Sequence, residues 1–226
     1  VVSIPVADGG EGSVDCFLTA LGGEKVKVTV KNPYFEDMEG FYGLIDNGET
    51  AVIEMAACAG LPLVEDRKDP RKTTTYGVGQ LILAAAAKGV KKIIVGLGGS
   101  ATNDGGCGAA AAVGVKFYND KGETFVPTGG TTHEIVRIDM SGRDKSLEGV
   151  EIVTMCDIDN PMYGPTGAAH VFGPQKGADP EMVLFLDEGI KHLAEVIKRD
   201  LGRDLAFMPG SGAAGAMGAG MAAFFG

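Results

Sequence analysis

Cysteine is scarce and scattered in this sequence. Cys16, Cys58, Cys107 and Cys156 stand more than forty positions apart with no CxxC pair. That pattern reads as free thiols in a reducing cytosol and excludes a disulfide framework or a zinc ribbon. The three histidines, His133, His170 and His192, are equally dispersed, so no His/Cys metal signature is present. Basic charge is short as well: 20 Lys+Arg face 30 Asp+Glu, a net charge of −10. No basic stripe offsets that acidity, which argues against nucleic acid as a partner. Long apolar runs are missing too. The stretch from Ile82 to Ala87 is among the longest aliphatic runs and falls far short of the ~20 residues of a membrane span. The opening residues carry no basic-then-apolar signal pattern, and the expectation is a soluble cytoplasmic protein without membrane association.

Glycine is present in excess, at 36 of 226 residues, about twice the usual ~7%. It shows no G-X-Y period and lies in short clusters, which excludes collagen and low-complexity chains. Clustered glycine marks tight turns or places where backbone approaches a ligand closely. At 45% hydrophobic and 22% charged residues, the chain can build a core without metals or disulfides. Its length allows one large domain or two small ones. Both ends are apolar, from Val1-Val2-Ser3 to Phe224-Phe225-Gly226. Natural termini are usually polar, so the expectation is a piece of a longer polypeptide.

Periodicity divides the chain into strands and helices. Val1 to Ala7 reads as a strand, and a helix carrying Val14, Phe17, Leu18 and Leu21 follows, stopped by Gly22-Gly23. Lys25 to Lys31 alternates as a half-exposed strand. Gly40 to Asp46 and Thr50 to Met55 flank Asn47-Gly48, a hairpin signal. Thr73 to Lys88 reads as a helix, Lys91 to Val95 as a buried parallel strand, and an Ala-rich helix runs through Ala112. Val115 to Tyr118 and Glu151 to Met155 are further strands, with a loop-rich stretch between them. Asp179-Pro180 starts an amphipathic helix carrying Val183, Leu186, Ile190, Leu193 and Ile197, closed by Gly202. The fold class is α/β, with a mixed sheet of parallel strand-loop-helix units and one antiparallel hairpin. No internal repeat or linker divides it.

Four loops carry polar groups suited to chemistry. After the strand at 91–95, Gly98, Gly99, Gly105 and Gly106 can turn backbone amides inward, and the following helix start favours an anion. Ser100, Thr102, Asn103 and Asp104 add hydroxyls, an amide and a carboxylate; the alternative is a turn serving helix–strand packing alone. Gly96-x-Gly98-x-x-Ala101 with Asp120 further on loosely fits a dinucleotide fingerprint, although the helix starts late for it. P-loop and protein-kinase motifs are absent. Asp8 and Glu11 sit at a strand-to-helix turn, as ligands or merely as caps. Asp157 follows a strand end, where it could hold Mg²⁺, accept a hydroxyl proton or close an Asx-turn before Pro161. Lys176 lies in a Gly/Pro turn, facing a carboxylate or phosphate or simply water. His170 alone reads as a packed polar residue.

Taken together, Asp8-Gly9-Gly10-Glu11-Gly12, Gly98 to Gly106, Cys156 to Pro161, Phe172 to Gly177 and Gly212-Ala213-Ala214-Gly215 resemble the bacterial type I glycerate kinases, in the same order and over essentially the whole chain. The resemblance implies a two-domain α/β enzyme that phosphorylates D-glycerate with ATP and Mg²⁺ in an interdomain cleft, its second domain inserted into a Rossmann-like first domain. Residues 1–226 then correspond mainly to that inserted α/β domain with short flanks of the first. The family's opening Asp-Ser-Phe-Lys-Gly turn and closing Gly-Glu-Gly turn are absent, so the expectation is that these residues alone are inactive. For such a reaction the chemistry of the loops points to Asp104, Asp157 and Lys176 in catalysis, with Asp104 or Asp157 orienting the attacking hydroxyl, and to Gly98, Gly99, Ser100, Thr102, Asn103 and Gly105 on phosphate or substrate. Asp8 and Asp157 would hold metal, and Arg71 or Lys72 would assist with anions. A homodimer is a further expectation. The competing classes are a dinucleotide-dependent oxidoreductase and a non-catalytic ligand-binding domain.

Overall fold

The computed structural model describes residues 6–226. The expected opening strand lies largely outside the described residues, and Val6 and Ala7 are not in a strand. Helix α1 (Ser13–Leu21) leads into an antiparallel series β1 (Glu24–Lys31), β2 (Asp37–Ile45) and β3 (Thr50–Glu54). Ile45 pairs with Thr50, so the hairpin loop spans 46–49 rather than two residues. Asp46, Asn47 and Gly48 all take the left-handed backbone that the Asn-Gly signal anticipates. The antiparallel part thus comprises three strands, one more than the hairpin.

Beyond β3 the sheet becomes parallel. A short helix α2 (Ala56–Ala59) and α3 (Tyr76–Ala86) lead to β4 (Lys92–Gly96), and α4 (Cys107–Ala112) follows its end. The strand β5 (Lys116–Tyr118) leaves this sheet and pairs antiparallel with β6 (Thr124–Phe125) and β7 (Arg137–Asp139). The last strand, β8 (Glu151–Met155), returns beside β4, giving the order β1-β2-β3-β4-β8. The fold is mixed α/β with both strand directions, as expected, plus a second small sheet that the short, weakly patterned strands of 119–149 had concealed. In the parallel part, Glu54 pairs with Gly96 and Gly96 with Met155. Three strand tips therefore end side by side, where open α/β sheets bind ligands.

Three further helices surround these tips: α5 (Ala168–Phe172), α6 (Pro180–Leu201) and α7 (Ala213–Gly220). Asp179 caps α6 by accepting from the Met182 amide at 2.8 Å, and Gly202 ends it with φ 68°. Its stripe of Val183, Leu186, Ile190, Leu193 and Ile197 is buried; each such side chain stabilises the fold by about 1.5–3 kcal/mol. That stripe packs behind the loop after β4, where Leu193 occupies the space a side chain at Gly105 would need.

Helices α3 and α4 touch backbone to backbone at Gly79, where an added Cβ would overlap the Ala109 carbonyl. Gly79→Ala should lower stability by about 1–3 kcal/mol, the usual cost of overpacking, or ~2–4 °C in Tm per kcal/mol at this size. Calorimetry showing an unchanged Tm would contradict this packing.

Candidate functional site

The chain leaving β4 is fixed from both sides. On one side Gly98 N–H donates to the Gly9 carbonyl at 2.9 Å and Leu97 N–H to that of Met155 at 3.1 Å. A side chain at Gly98 would overlap Gly10, so two glycine loops lie against each other. On the other side Ala101 N–H donates to the Ala59 carbonyl at 2.8 Å, and Leu61 N–H to that of Gly99 at 2.9 Å. Gly99, at φ 68°, turns the loop at its midpoint.

These contacts border a cleft of about 240 Å³, whose polar lining includes Asp8, Gly98, Gly99, Ser100, Asp157 and Lys176. Leu97, Ile158 and Phe172 give it apolar walls, and Gln175 and Ala214 complete one side. The loops at 8–13, 98–106, 157–160 and 172–177 thus meet at one place.

Lys176 is the cation of the cleft. It ends a 3-10 turn, Pro174–Lys176, that follows α5, and it is only 2% exposed. Its Nζ donates to Ser100 Oγ at 2.9 Å and to the Thr102 carbonyl at 2.6 Å. An ammonium has three protons, so one remains for a ligand. Burial pushes the Lys176 pKa down from 10.5 to about 7, and the Asp104 charge opposes that fall.

The two cleft carboxylates are exposed. Asp8 accepts from Gly10 N–H at 2.9 Å. Among the described residues no group of three or more His, Cys, Asp or Glu side chains could hold a metal ion. Two carboxylates nevertheless suit Mg²⁺, which keeps several waters and takes its other ligands from phosphates. Helix α1 is not capped by Asp8 or Glu11: Val14 N–H donates to Glu54 Oε2 at 2.9 Å, a carboxylate from the β3 tip.

Several expected site residues lie behind the cleft rather than in its lining. Asp104 is 0% exposed. Its carboxylate accepts from five donors: Thr74 Oγ1, Thr75 N–H and Oγ1, Gly106 N–H and Gly108 N–H. Burial raises its pKa while the Thr75, Gly106 and Gly108 donors oppose the rise. With its oxygens so engaged, it is not among the residues lining the cleft. Thr102 and Asn103 are fully buried, and Thr102 Oγ1 and both Asn103 amide atoms lack a partner among the described residues. Gly105 donates to the Gly215 carbonyl at 3.0 Å. Arg71 and Lys72 pair with Asp69 at 2.9 and 3.3 Å and do not line this cleft. The dinucleotide fingerprint fails: Gly96 is still in β4, and α4 begins only at Cys107. Thr74 and Thr75 went unrecognised in the sequence, where three consecutive threonines before a helix read as no more than its start.

A cleft at parallel strand tips, bordered by glycines and lined by one buried lysine and two carboxylates, defines an α/β protein suited to a small anionic ligand. The comparisons narrow the class: a sequence profile described as "Glycerate kinase family" matches residues 1–226, and the chain belongs to that family. It is 51% identical over 219 residues to a glycerate kinase of Bacillus cereus, covering 96% of this chain and 58% of the relative. With the glycerate 2-kinase of Escherichia coli it shares 46% identity over 226 residues, 59% of that protein. A crystal structure from Salmonella typhimurium LT2, assigned as glycerate kinase 2, superposes with a TM-score of 0.94 at 45% identity, covering 98% of this chain and 60% of that one. The chain thus spans less than two thirds of the length of these relatives. No described helix is long and apolar enough to cross a membrane.

The buried lysine makes stability depend on pH. Between about pH 7 and 10.5 the unfolded chain carries a proton on Lys176 that the folded chain has shed. Where the unfolded state binds more protons, stability rises with pH. Denaturant titrations across this window should therefore show a rise that Lys176→Met removes; identical slopes in both proteins would contradict the depressed lysine.

Proposed function

We propose that this chain forms the substrate-binding part of an ATP-dependent D-glycerate kinase that uses Mg²⁺. The observation that carries the reading is the convergence of the chain leaving β4, the chain leaving β8, the turn at Asp8 and Lys176 on one cleft, in a chain of the glycerate kinase family. Glycerate and phosphates are anions, and the net charge of −10 repels them at long range. Attraction is left to local groups: the spare proton of Lys176, Ser100, and the backbone of Gly98 and Gly99. Asp157 orients the attacking hydroxyl, and Asp8 and Asp157 would hold Mg²⁺, which would neutralise phosphate charge. Phosphoryl transfer depends mainly on positioning and charge neutralisation, so this small set suffices.

We further infer that residues 1–226 form an inserted α/β domain with short flanks of a Rossmann-like one, and that the rest of the relatives' length supplies the other wall of the cleft. Activity then belongs to the longer chain. A cytoplasmic location and a homodimer complete the reading, the latter testable by sedimentation of the full-length chain.

In a full-length chain, Asp157→Asn and Lys176→Ala should each lower kcat/KM for glycerate by more than about tenfold, ~1.4 kcal/mol of transition-state stabilisation. A coupled ADP-release assay measures this, and wild-type kinetics in both variants would remove these residues from the mechanism. Binding of NAD(H) in place of ATP would favour the oxidoreductase reading instead.

A further inference from the structure

We propose that Asp104 is a positioning residue for Lys176: a buried carboxylate behind the 98–106 loop that favours the ammonium form of the lysine against its burial and so its readiness for an anion. The inference rests on Lys176 meeting an anionic ligand, as in the function proposed above.

Two opposite charges are held by the same short loop. Lys176 grips Ser100 and the Thr102 carbonyl, and Asp104 follows two residues on. Both are buried, and neither has an ion-pair partner within 4.0 Å among the described residues. The other buried carboxylates serve elsewhere. Glu54 accepts from Val14 N–H, and Asp187 accepts from Gly164 N–H and lies 3.8 Å from His170.

The contacts to Asp104 are those of an ionised carboxylate. Three are backbone N–H groups, which can only donate. The two threonine hydroxyls themselves accept backbone protons, Thr75 Oγ1 from Ala109 and Thr74 Oγ1 from Tyr76, which directs their own protons to Asp104. A negative charge fixed in a low-dielectric interior favours the charged form of a neighbouring amine, and Asp104 is the charge that raises the Lys176 pKa against burial. The other titratable groups around the cleft are Asp8, Cys156 and Asp157 in its lining, Glu11 against Gly99, and Lys68 against Gly177. His170 and Asp187 belong to the adjoining α5 and α6. Asp8, Cys156 and Asp157 are exposed, where water and salt screen them.

The test reads the amine directly. The ¹³Cε resonance of Lys176, identified by its loss in Lys176→Met, is titrated in the wild-type chain, in Asp104→Asn and in Asp104→Ser. The expected result is a midpoint lower by about one unit or more in both Asp104 variants, each of which removes the charge; should one fail to fold, the other carries the test. Unchanged midpoints in the folded variants would overturn the proposal. In the full-length chain the KM for glycerate should rise more than tenfold at pH 8 in Asp104→Asn and recover at pH 6, with kcat little changed. A loss equal at both pH values would mark a merely structural role and also overturn it. The titrations need no substrate. A normal Asp104 effect on an amine that glycerate leaves unperturbed would sink the proposed function and leave this inference standing.

Discussion

The arrangement of the site depends on one buried carboxylate. Asp104 accepts from Thr75 N–H at the start of α3, and from Gly106 and Gly108 N–H at the start of α4. One side chain therefore serves the first turns of two helices, whose exposed amides and dipoles favour negative charge there. A carboxylate buried without such partners would cost several kcal/mol; hydrogen bonds to a charged group return about 1.5–3 kcal/mol each. The arrangement in turn dictates sequence. A side chain at position 108 would overlap Thr74 Oγ1 and crowd Asp104, so only glycine lets the amide approach. Thr73, whose hydroxyl donates to the Ala101 carbonyl at 2.9 Å, ties the same segment to the loop carrying Ser100.

Glycine has a second role at the crossings around the cleft. Gly98 meets Gly10, and Gly215 lies against Thr102 and Asn103, all too close for a Cβ. The turn at Ala214, Gly215 and Ala216 is left-handed throughout, with φ of 54°, 68° and 66°. For alanine that conformation costs roughly 1–2 kcal/mol per residue, and Ala214 lines the cleft. Strain of this kind persists only where surrounding contacts enforce it. Here the Gly105 amide holds the Gly215 carbonyl at 3.0 Å, so the turn at the start of α7 and the loop after β4 fix each other.

Much of this was legible in the sequence, for identifiable reasons. The α6 stripe, its Asp179 cap and its Gly202 stop are local signals, and they held. The turns around Asp8, Gly98, Asp157 and Lys176 announced themselves as strand ends rich in glycine and polar groups, and the fold brings them to one cleft. Local pattern could not show which way each polar side chain faces. Ser100 and Asp104 stand four residues apart on the same loop, yet one lines the cleft and the other is sealed behind it. That difference is set by Thr74 and Thr75, some thirty residues earlier in the chain, and a long-range hydrogen bond leaves no periodic trace. The small sheet of β5, β6 and β7 escaped for a related reason. Strands of two or three residues are too short to show alternation, and their pairing depends on partners distant in sequence.

Electrostatics then explains why a chain this acidic can still be suited to anions. At the ionic strength of a cell the Debye length is about 8 Å, so most of the surface carboxylates are screened from a ligand inside the cleft. What the ligand meets is decided within a few ångströms. There Lys176, the one deeply buried cation among the described residues, stands in low dielectric, where Coulomb interactions are several times stronger than in water. The same burial that pulls the Lys176 pKa to about 7 strengthens its attraction for an arriving negative charge, and the arriving charge in turn favours the ammonium. The cost of burying one lysine and its affinity for an anion are thus two consequences of placing it where little water reaches it.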